Sequence, residues 1–283
     1  MKISKNILLK GADDKPLATD IFFNDDDNPK PTVIYAHGFN GFKDWGNFDI
    51  IAKQFAEAGF VFIKFNFSHN GTISDQPEDF IDLEAYGNNN YTKELYDLQA
   101  VIDWAMNDNN LFANNINQNK LSLIGHSRGG GIVIIKAAEE KRVKAIATWA
   151  SVAECKTPWS TWSAEKINAW KNSGVEYYFN GRTKQQMPLY YQLHEDYFNN
   201  SERLNIQKAI SNLQIPVLIC HGTKDEAVTV AKAHLLKTAK PSAELFLVES
   251  DHVFGRKHPW TENNLPEAMQ LVVDKTIRFF CER

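Results

Sequence analysis

The feature that most constrains the fold is an apolar run that stops at a glycine and resumes after a serine. Residues 120–131 read Lys-Leu-Ser-Leu-Ile-Gly-His-Ser-Arg-Gly-Gly-Gly, with the pattern G-x-S-x-G at positions 125–129. This pattern is typical of a nucleophile elbow, a sharp turn between a strand and a helix that presents a serine hydroxyl. Glycines two residues to either side of Ser127 leave room where the strand and the helix pass too closely for a Cβ atom. Ser127 is therefore the first candidate for a chemically active residue.

The segments that flank this turn match the elements that an elbow requires. Residues 121–124 are mostly apolar and predict a buried strand, and the stretch at 129–140, which ends in Ala-Ala-Glu-Glu, predicts a helix. Three consecutive glycines at the start of that helix each cost roughly 1 kcal/mol against alanine. Such a conflict between propensity and element is expected at functional sites. Residues 132–135 are β-branched, so periodicity alone leaves a strand open there.

Strand and helix patterns alternate along most of the chain. Strands are predicted at 3–9, 17–23, 32–36, 60–65, 121–124, 143–149, 215–220 and 244–248. Helices are predicted at 48–58, 92–106, 129–140, 229–239 and 266–280. The first two strands indicate a hairpin, and residues 66–90 indicate a long polar loop. The alternation predicts an α/β fold with a mostly parallel sheet of about eight strands and helices on both faces.

The alternation is interrupted between residues 151 and 205. This segment has no convincing strand pattern and is rich in aromatic residues, among them Trp159, Trp162 and Tyr178. One interpretation is a set of ordinary helices packed on the core. The other is a helical cap insertion over the sheet edge where α/β proteins bind ligands, with these three residues contacting the substrate. We therefore expect one core domain formed by 1–150 and 206–283, with a cap insertion at 151–205.

A serine hydroxyl is a poor nucleophile at neutral pH, so Ser127 needs a base and the base needs an orienting acid. Asp225 follows the strand at 215–220, and His252 follows the strand at 244–248. Both are expected at the sheet edge that carries Ser127. The chain order Ser, Asp, His is also the order found in hydrolases with a nucleophile elbow.

Each of these two roles has alternatives in the sequence. Glu226 competes with Asp225 for the acid. Asp251 adjoins His252, and neighbouring side chains of an extended chain point apart, so it is a poor orienter. His221 ends a strand and His258 precedes a proline, which is more typical of structural or surface positions.

The oxyanion of an acyl-transfer intermediate needs preorganised hydrogen-bond donors. The backbone amide of Arg128, at the start of the predicted helix, is one candidate. The turn at 37–41 offers the backbone amide of Phe39, because Gly38 and Gly41 let the backbone approach a ligand. A simple tight turn is the alternative interpretation of the residues at 37 and 38.

Composition excludes several classes of function. Lysine plus arginine total 31 against 35 aspartate plus glutamate, without a basic stripe, so nucleic acid is not an expected partner. The eight histidines are scattered and form no spaced ligand pair, so neither a metal nor another cofactor is expected. Cys155, Cys220 and Cys281 are odd in number and without a motif, which indicates reduced thiols. No segment has the length of a signal peptide or a membrane span, so we expect a cytoplasmic protein without a membrane partner.

Together these motifs resemble the α/β-hydrolase superfamily. The resemblance is strongest to an esterase branch that includes bacterial cinnamoyl (feruloyl) esterases and dienelactone-hydrolase-like or serine-aminopeptidase-like relatives. The matching segments are His-Gly-Phe-Asn-Gly at 37–41, Ser-His-Asn-Gly at 68–71, Gly-His-Ser-Arg-Gly-Gly at 125–130, the stretch 215–225 and Asp-His at 251–252.

The resemblance implies Ser127 as nucleophile, Asp225 as acid and His252 as base, with the Phe39 and Arg128 amides as the oxyanion hole. Typical dienelactone hydrolases have a cysteine nucleophile, so Ser127 is a departure.

The sequence therefore predicts a cofactor-independent serine carboxylesterase, a monomer or homodimer, acting on small or aromatic, hydroxycinnamoyl-like esters. A first alternative is an aminopeptidase-like or other amide hydrolase, in which Glu165, Glu176, Glu195 or Asp196 would bind an α-amine. A second is a non-catalytic ligand receptor on the same fold.

Overall fold

A central sheet of eight strands organises the molecule, and the computed structural model describes residues 1–26 and 28–283. The strands of this sheet are β1 (Lys2–Lys10), β2 (Pro16–Phe23), β3 (Lys30–Ala36), β4 (Val61–Phe65), β5 (Ile116–His126), β6 (Val143–Trp149), β9 (Val217–Gly222) and β10 (Glu244–Val248). Their spatial order is β1-β2-β4-β3-β5-β6-β9-β10. The pairs β1/β2 and β2/β4 are antiparallel, and all other neighbours are parallel. The predicted opening hairpin and the mostly parallel α/β sheet are confirmed.

Helices cover both faces of this sheet. They are α1 (Phe48–Glu57), α2 (Leu83–Gly87), α3 (Tyr91–Ala105), α4 (Arg128–Glu139), α5 (Ala164–Ser173), α6 (Gln192–Asn199), α7 (Ile206–Asn212), α8 (Ala231–Ala239) and α9 (Glu267–Cys281). Along β3, Val33 and Tyr35 belong to the core under α1 and α9, whereas Ile34 and Ala36 belong to the core under α3 and α4. This alternation is the period of two that a strand buried on both faces requires. Within the described ranges, no helix has the length and apolarity needed to cross a membrane.

The start of β5 and the loop at 66–90 differ from the prediction. Strand β5 begins at Ile116 rather than at 121, because Ile116 pairs with Lys30 of β3 while the next four residues, which are polar, lie at the surface end of the strand. The predicted loop at 66–90 contains helix α2, which is only five residues long. A helix this short gives almost no 3.6-residue pattern. Its start is fixed by Asp82, whose carboxylate accepts a hydrogen bond from the Ala85 amide at 2.8 Å.

The segment 151–205 is not purely helical, and that part of the prediction is wrong. It holds α5 and α6 together with an antiparallel hairpin of β7 (Val175–Asn180) and β8 (Gln185–Tyr190). In β7, Tyr177 and Phe179 are exposed while Tyr178 is partly buried and packs on the core. The strand was missed because aromatic residues occupy both of its faces, which hides the alternation of apolar and polar residues.

Buried ion pairs tie the chain after β3 to the sheet. Lys43 and Lys64 are buried beside Asp20, Asp44 and Asp49, with Lys43 Nζ 2.8 Å from Asp20 and Lys64 Nζ 2.5 Å from Asp49. The three carboxylates lie close enough together to hold a metal ion. Two ammonium groups already occupy the space between them and balance most of their charge. This cluster is therefore a structural ion-pair network, which we call the lysine network.

The three cysteines also agree with expectation. Cys155 and Cys220 are buried, Cys281 is exposed, and all three are free thiols.

Candidate active site

Ser127 lies at the junction between β5 and α4 in a strained backbone conformation. Its φ is 55° and its ψ is −119°, a region that L-residues rarely adopt. A Cβ atom on Gly125 would lie 2.2 Å from the Gly129 carbonyl oxygen, and one on Gly129 would lie 2.4 Å from the carbonyl oxygens of Ala36 and His37. Neither backbone contact can be relieved by a side-chain movement. The turn therefore requires both glycines, as the nucleophile-elbow pattern predicts.

The two remaining glycines at the start of α4 have packing reasons of their own. A Cβ atom on Gly130 would lie 2.4 Å from Ser151 Oγ, and one on Gly131 would lie 2.6 Å from Ile206 Cδ1. These glycines have low helix propensity, but they let α4 pass close to the segment after β6 and to α7. This close approach explains why a helix begins with three glycines despite their low helix propensity.

Asp225 and His252 form a hydrogen-bonded pair at the carboxyl ends of β9 and β10. His252 Nδ1 lies 2.7 Å from Asp225 Oδ2, while Asp225 Oδ1 accepts hydrogen bonds from the amides of Ala227 at 2.9 Å and Val228 at 2.7 Å. Burial alone would raise the pKa of Asp225, but hydrogen bonds from His221 and His252 hold that pKa well below its usual range. Asp225 is therefore a fixed, ionised acceptor for the His252 ring.

The competing acid at 226 and the histidine at 221 have other surroundings. Glu226 is exposed to solvent. His221 is fully buried, donates Nε2–H to the Val228 carbonyl at 2.7 Å and lies 3.3 Å from Asp225 Oδ2. It supports the loop that carries Asp225, a structural position of the kind that the sequence predicts.

The other two competitors, Asp251 and His258, accept hydrogen bonds from backbone amides. Asp251 Oδ1 accepts hydrogen bonds from the amides of Val253 at 3.1 Å and Gly255 at 2.8 Å, so it caps its own turn. His258 Nδ1 accepts a hydrogen bond from the Gly46 amide at 3.0 Å.

The pair of Asp225 and His252 lies against the elbow. The Nε2–H group of His126 donates to the His252 carbonyl at 3.0 Å, and the two rings have centroids 4.9 Å apart. Burial lowers the pKa of His126 well below its usual value, so its ring is neutral. Ser127 Oγ and His252 Nε2 form no hydrogen bond to each other or to any other residue in the described part of the chain. Sequence reasoning missed His126, because its role depends on a contact with His252, which lies 126 positions further along the chain.

The turn after β3 is held in a defined orientation next to Ser127. The Gly38 carbonyl accepts hydrogen bonds from the Gly41 amide at 3.0 Å and from His37 Nδ1–H at 2.9 Å. Because the peptide unit is planar and trans, this fixes the Phe39 N–H in the opposite direction. A Cβ atom on Gly38 would lie 2.9 Å from the Ser127 Cβ atom. We call residues 38–41 the oxyanion turn, after the role that the sequence predicts for the Phe39 amide.

His37 is a neutral organiser of that turn. Burial lowers the pKa of His37 to about 4. Its Nε2 atom accepts a hydrogen bond from the Phe67 amide at 3.2 Å, which assigns the proton to Nδ1. The ring therefore donates to one segment and accepts from another.

Both candidate oxyanion donors are unpaired. Within residues 1–26 and 28–283, neither the Phe39 amide nor the Arg128 amide donates to a protein acceptor. Arg128 also has a buried side chain, whose Nε atom lies 2.9 Å from Glu94 Oε2 and whose guanidinium lies 3.9 Å from the centroid of the Tyr91 ring. These contacts fix the start of α4 against α3.

The three aromatic residues predicted to contact substrate have different surroundings. Trp159 is buried with its ring 6.0 Å from that of Trp170, and Trp162 packs on the same residue at 5.3 Å. Tyr178 instead reaches the oxyanion turn, where its ring lies 5.8 Å from the ring of Phe39. Of the three, Tyr178 is the residue that the structure brings next to the site.

Comparison with known proteins places the chain in a family. The profile of the dienelactone hydrolase family matches residues 19–170, more than half of the 283 residues. The quorum-quenching protein AidA of Acinetobacter baumannii (strain MDR-ZJ06) is 26% identical over 116 residues, which cover 41% of this chain and 34% of AidA. The matched region thus spans about a third of that relative.

Solved structures share the fold across the whole chain. Est1E from Butyrivibrio proteoclasticus, with ferulic acid bound, superimposes with a TM-score of 0.74 at 18% identity over 98% of both chains. The α/β hydrolase GrgF from Penicillium sp. sh18 superimposes with a TM-score of 0.64 at 18% identity, over 99% of this chain and 98% of GrgF. The fold is therefore that of the α/β hydrolases. The family match shows that the chain belongs to the dienelactone hydrolase family.

Proposed function

We propose that this protein is a serine hydrolase that cleaves carboxylic esters through an acyl-enzyme intermediate. Ser127 is the nucleophile, His252 the general base and Asp225 the acid that orients it, and the amides of Phe39 and Arg128 form the oxyanion hole. One observation carries the proposal: a fully anchored Asp225 carboxylate lies 2.7 Å from His252 Nδ1 directly beside the elbow.

The hydrogen bond to Asp225 decides which ring nitrogen of His252 carries the proton. A proton on Nδ1 is donated to the carboxylate, which leaves the lone pair of Nε2 free to take the proton of the Ser127 hydroxyl. Among the residues that the structure describes, Ser127 Oγ has no hydrogen-bond partner. Hydrogen bonds between a nucleophile and its base are often long or poorly aligned before substrate binds. Attack on the ester carbonyl then gives a tetrahedral oxyanion, and the returned proton releases the alcohol. Water hydrolyses the acyl-enzyme by the same steps.

Aromatic side chains beside the oxyanion turn support a small or aromatic acyl group. The rings of Tyr86 and Tyr178 lie 5.9 and 5.8 Å from the ring of Phe39. Est1E, which shares the fold, binds ferulic acid, a hydroxycinnamic acid. We therefore propose hydroxycinnamoyl-like esters as the first substrates to try.

The aminopeptidase alternative has less support, because the carboxylates that it needs are exposed or engaged. Asp196 accepts hydrogen bonds from the Thr92 amide and hydroxyl at the start of α3. Glu176 pairs with Lys166 at 3.6 Å, and Glu165 and Glu195 are exposed.

A fluorophosphonate probe tests the mechanism. We expect one adduct on Ser127 in the folded protein and none in Ser127→Ala, and we expect that variant to lose about 10⁶-fold in kcat. A panel of acyl esters against aminoacyl amides then separates an esterase from an aminopeptidase. Absence of the adduct in folded wild-type protein would favour the receptor alternative.

A further inference from the structure

The hairpin of the 151–205 segment contacts the oxyanion turn through one side chain. The Tyr178 hydroxyl of β7 hydrogen-bonds to Asn40 Oδ1, and the Tyr86 hydroxyl of α2 donates to the same oxygen at 2.5 Å. The two hydroxyls also contact each other. A carbonyl oxygen has two lone pairs, so Asn40 can accept both donors.

Asn40 is a sensitive point of this turn. Its φ is 59°, in the left-handed region that asparagine tolerates better than most residues. It directly follows Phe39, whose amide direction depends on the shape of the turn. His37 holds one side of the turn. Asn40 connects the other side of the turn to the hairpin and to α2.

The phenol of Tyr178 is suited to a permanent donor role. Burial raises its pKa to about 12. Its hydroxyl therefore stays protonated over the range in which esterases are assayed. Its ring also lies on Phe39, so Tyr178 contacts the turn at two consecutive residues.

From this geometry we infer that Tyr178 and Tyr86 are positioning residues, which hold the Phe39 amide in the oxyanion hole through the Asn40 side chain. Docking of the hairpin thereby completes the oxyanion hole. The inference rests on the proposed function, because it assigns a role within that site. It also differs from a role for Tyr178 in contacting substrate, because a positioning residue acts on kcat whereas a substrate contact acts mainly on KM.

The test compares Tyr178→Phe and Tyr86→Phe with Tyr177→Phe, a matched control on the exposed face of the same strand. We expect both test variants to lower kcat on the order of tenfold with KM within about twofold, because small displacements of an oxyanion donor are costly. The affinity for a boronic acid, which forms a tetrahedral adduct on serine, should weaken by a similar factor. The control should match wild type in all three quantities.

Hydrogen exchange supplies a readout that does not depend on turnover. We expect faster deuterium uptake in the peptide that contains residues 38–41 in Tyr178→Phe and Tyr86→Phe, with unchanged uptake in Tyr177→Phe. Unchanged exchange in both test variants would overturn the inference even for a proven esterase. A rise in KM alone would overturn it as well, since it would make Tyr178 a substrate contact.

Failure of the proposed function has a separate signature. If wild-type hydrolysis does not depend on Ser127, the proposed function is wrong. The inference is then wrong as well, whatever the exchange data show.

Discussion

His126 donates its Nε2–H group to the backbone carbonyl of His252 across 3.0 Å, which joins the residue before the candidate nucleophile to the candidate base. Asp225 orients the His252 ring from the other side. The hydrogen bond to Asp225 therefore holds the His252 ring, and the hydrogen bond from His126 holds the His252 backbone. Holding both limits how far His252 can move from Ser127 when substrate arrives.

The first prediction concerns this backbone contact. We expect His126→Ala to lower kcat/KM for ester substrates on the order of tenfold, because the loop at 252 loses its anchor to the elbow. The rate of Ser127 labelling by a fluorophosphonate should fall by a similar factor. Enzyme assays and labelling kinetics measure the two quantities.

A matched histidine serves as control. His234 is exposed on α8, and His234→Ala should behave like wild type. Wild-type kinetics in His126→Ala would show that the contact has no catalytic consequence.

The second prediction concerns the glycines of the elbow. Gly125→Ala and Gly129→Ala should each reduce the free energy of unfolding by about 3 kcal/mol or more, because the new methyl group meets backbone atoms that cannot rotate away. Gly181→Ala is the control, since a Cβ atom there would have no neighbour within 4 Å. Chemical denaturation measures all three. Equal stability of the three variants would refute the packing argument.

Much of the fold could be predicted because parallel strands buried on both faces leave a strong apolar signal. The run at 143–149 coincides with β6, in which every residue except Lys144 is buried. The α/β alternation also placed residues that follow strands at one sheet edge, and Asp225 and His252 are in contact there. Short-range sequence patterns were sufficient for these features.

The remaining features depend on contacts that no local pattern encodes. The hairpin of β7 and β8 was hidden by aromatic residues on both faces, and its two strands pair with each other rather than with the main sheet. The hydrogen bond between Tyr178 and Asn40 spans 138 positions, and the one between His126 and His252 spans 126. Each pair becomes recognisable only after the fold has brought its members together.

The third prediction concerns the lysine network. Lys64→Met should reduce the free energy of unfolding by about 3–5 kcal/mol, because it removes a buried partner of Asp20, Asp44 and Asp49 and leaves Lys43 to balance Asp20 and Asp44. Lys5→Met removes a partly exposed partner of Asp49 and should cost about 1 kcal/mol or less. Denaturation of both variants by urea measures the difference. A Lys64→Met protein as stable as wild type would mean that the buried carboxylates are otherwise compensated.

The fourth prediction concerns the pH dependence of stability. Burial lowers the pKa of His37 from 6.5 to about 4, so the unfolded chain binds a proton at a higher pH than the folded chain does. The stability that His37 contributes is therefore complete above about pH 6.5 and is lost as the pH falls towards 4, by up to about 3 kcal/mol.

His69 and His126 also have lowered pKa values, so wild type alone cannot isolate the contribution of His37. In His37→Asn the amide can still donate to the Gly38 carbonyl, but nothing at that position titrates between pH 4 and 6.5. The free energy of unfolding, measured by urea denaturation at intervals between these pH values, should therefore fall less steeply in the variant than in wild type. Parallel pH profiles would contradict a buried, neutral imidazole under the oxyanion turn.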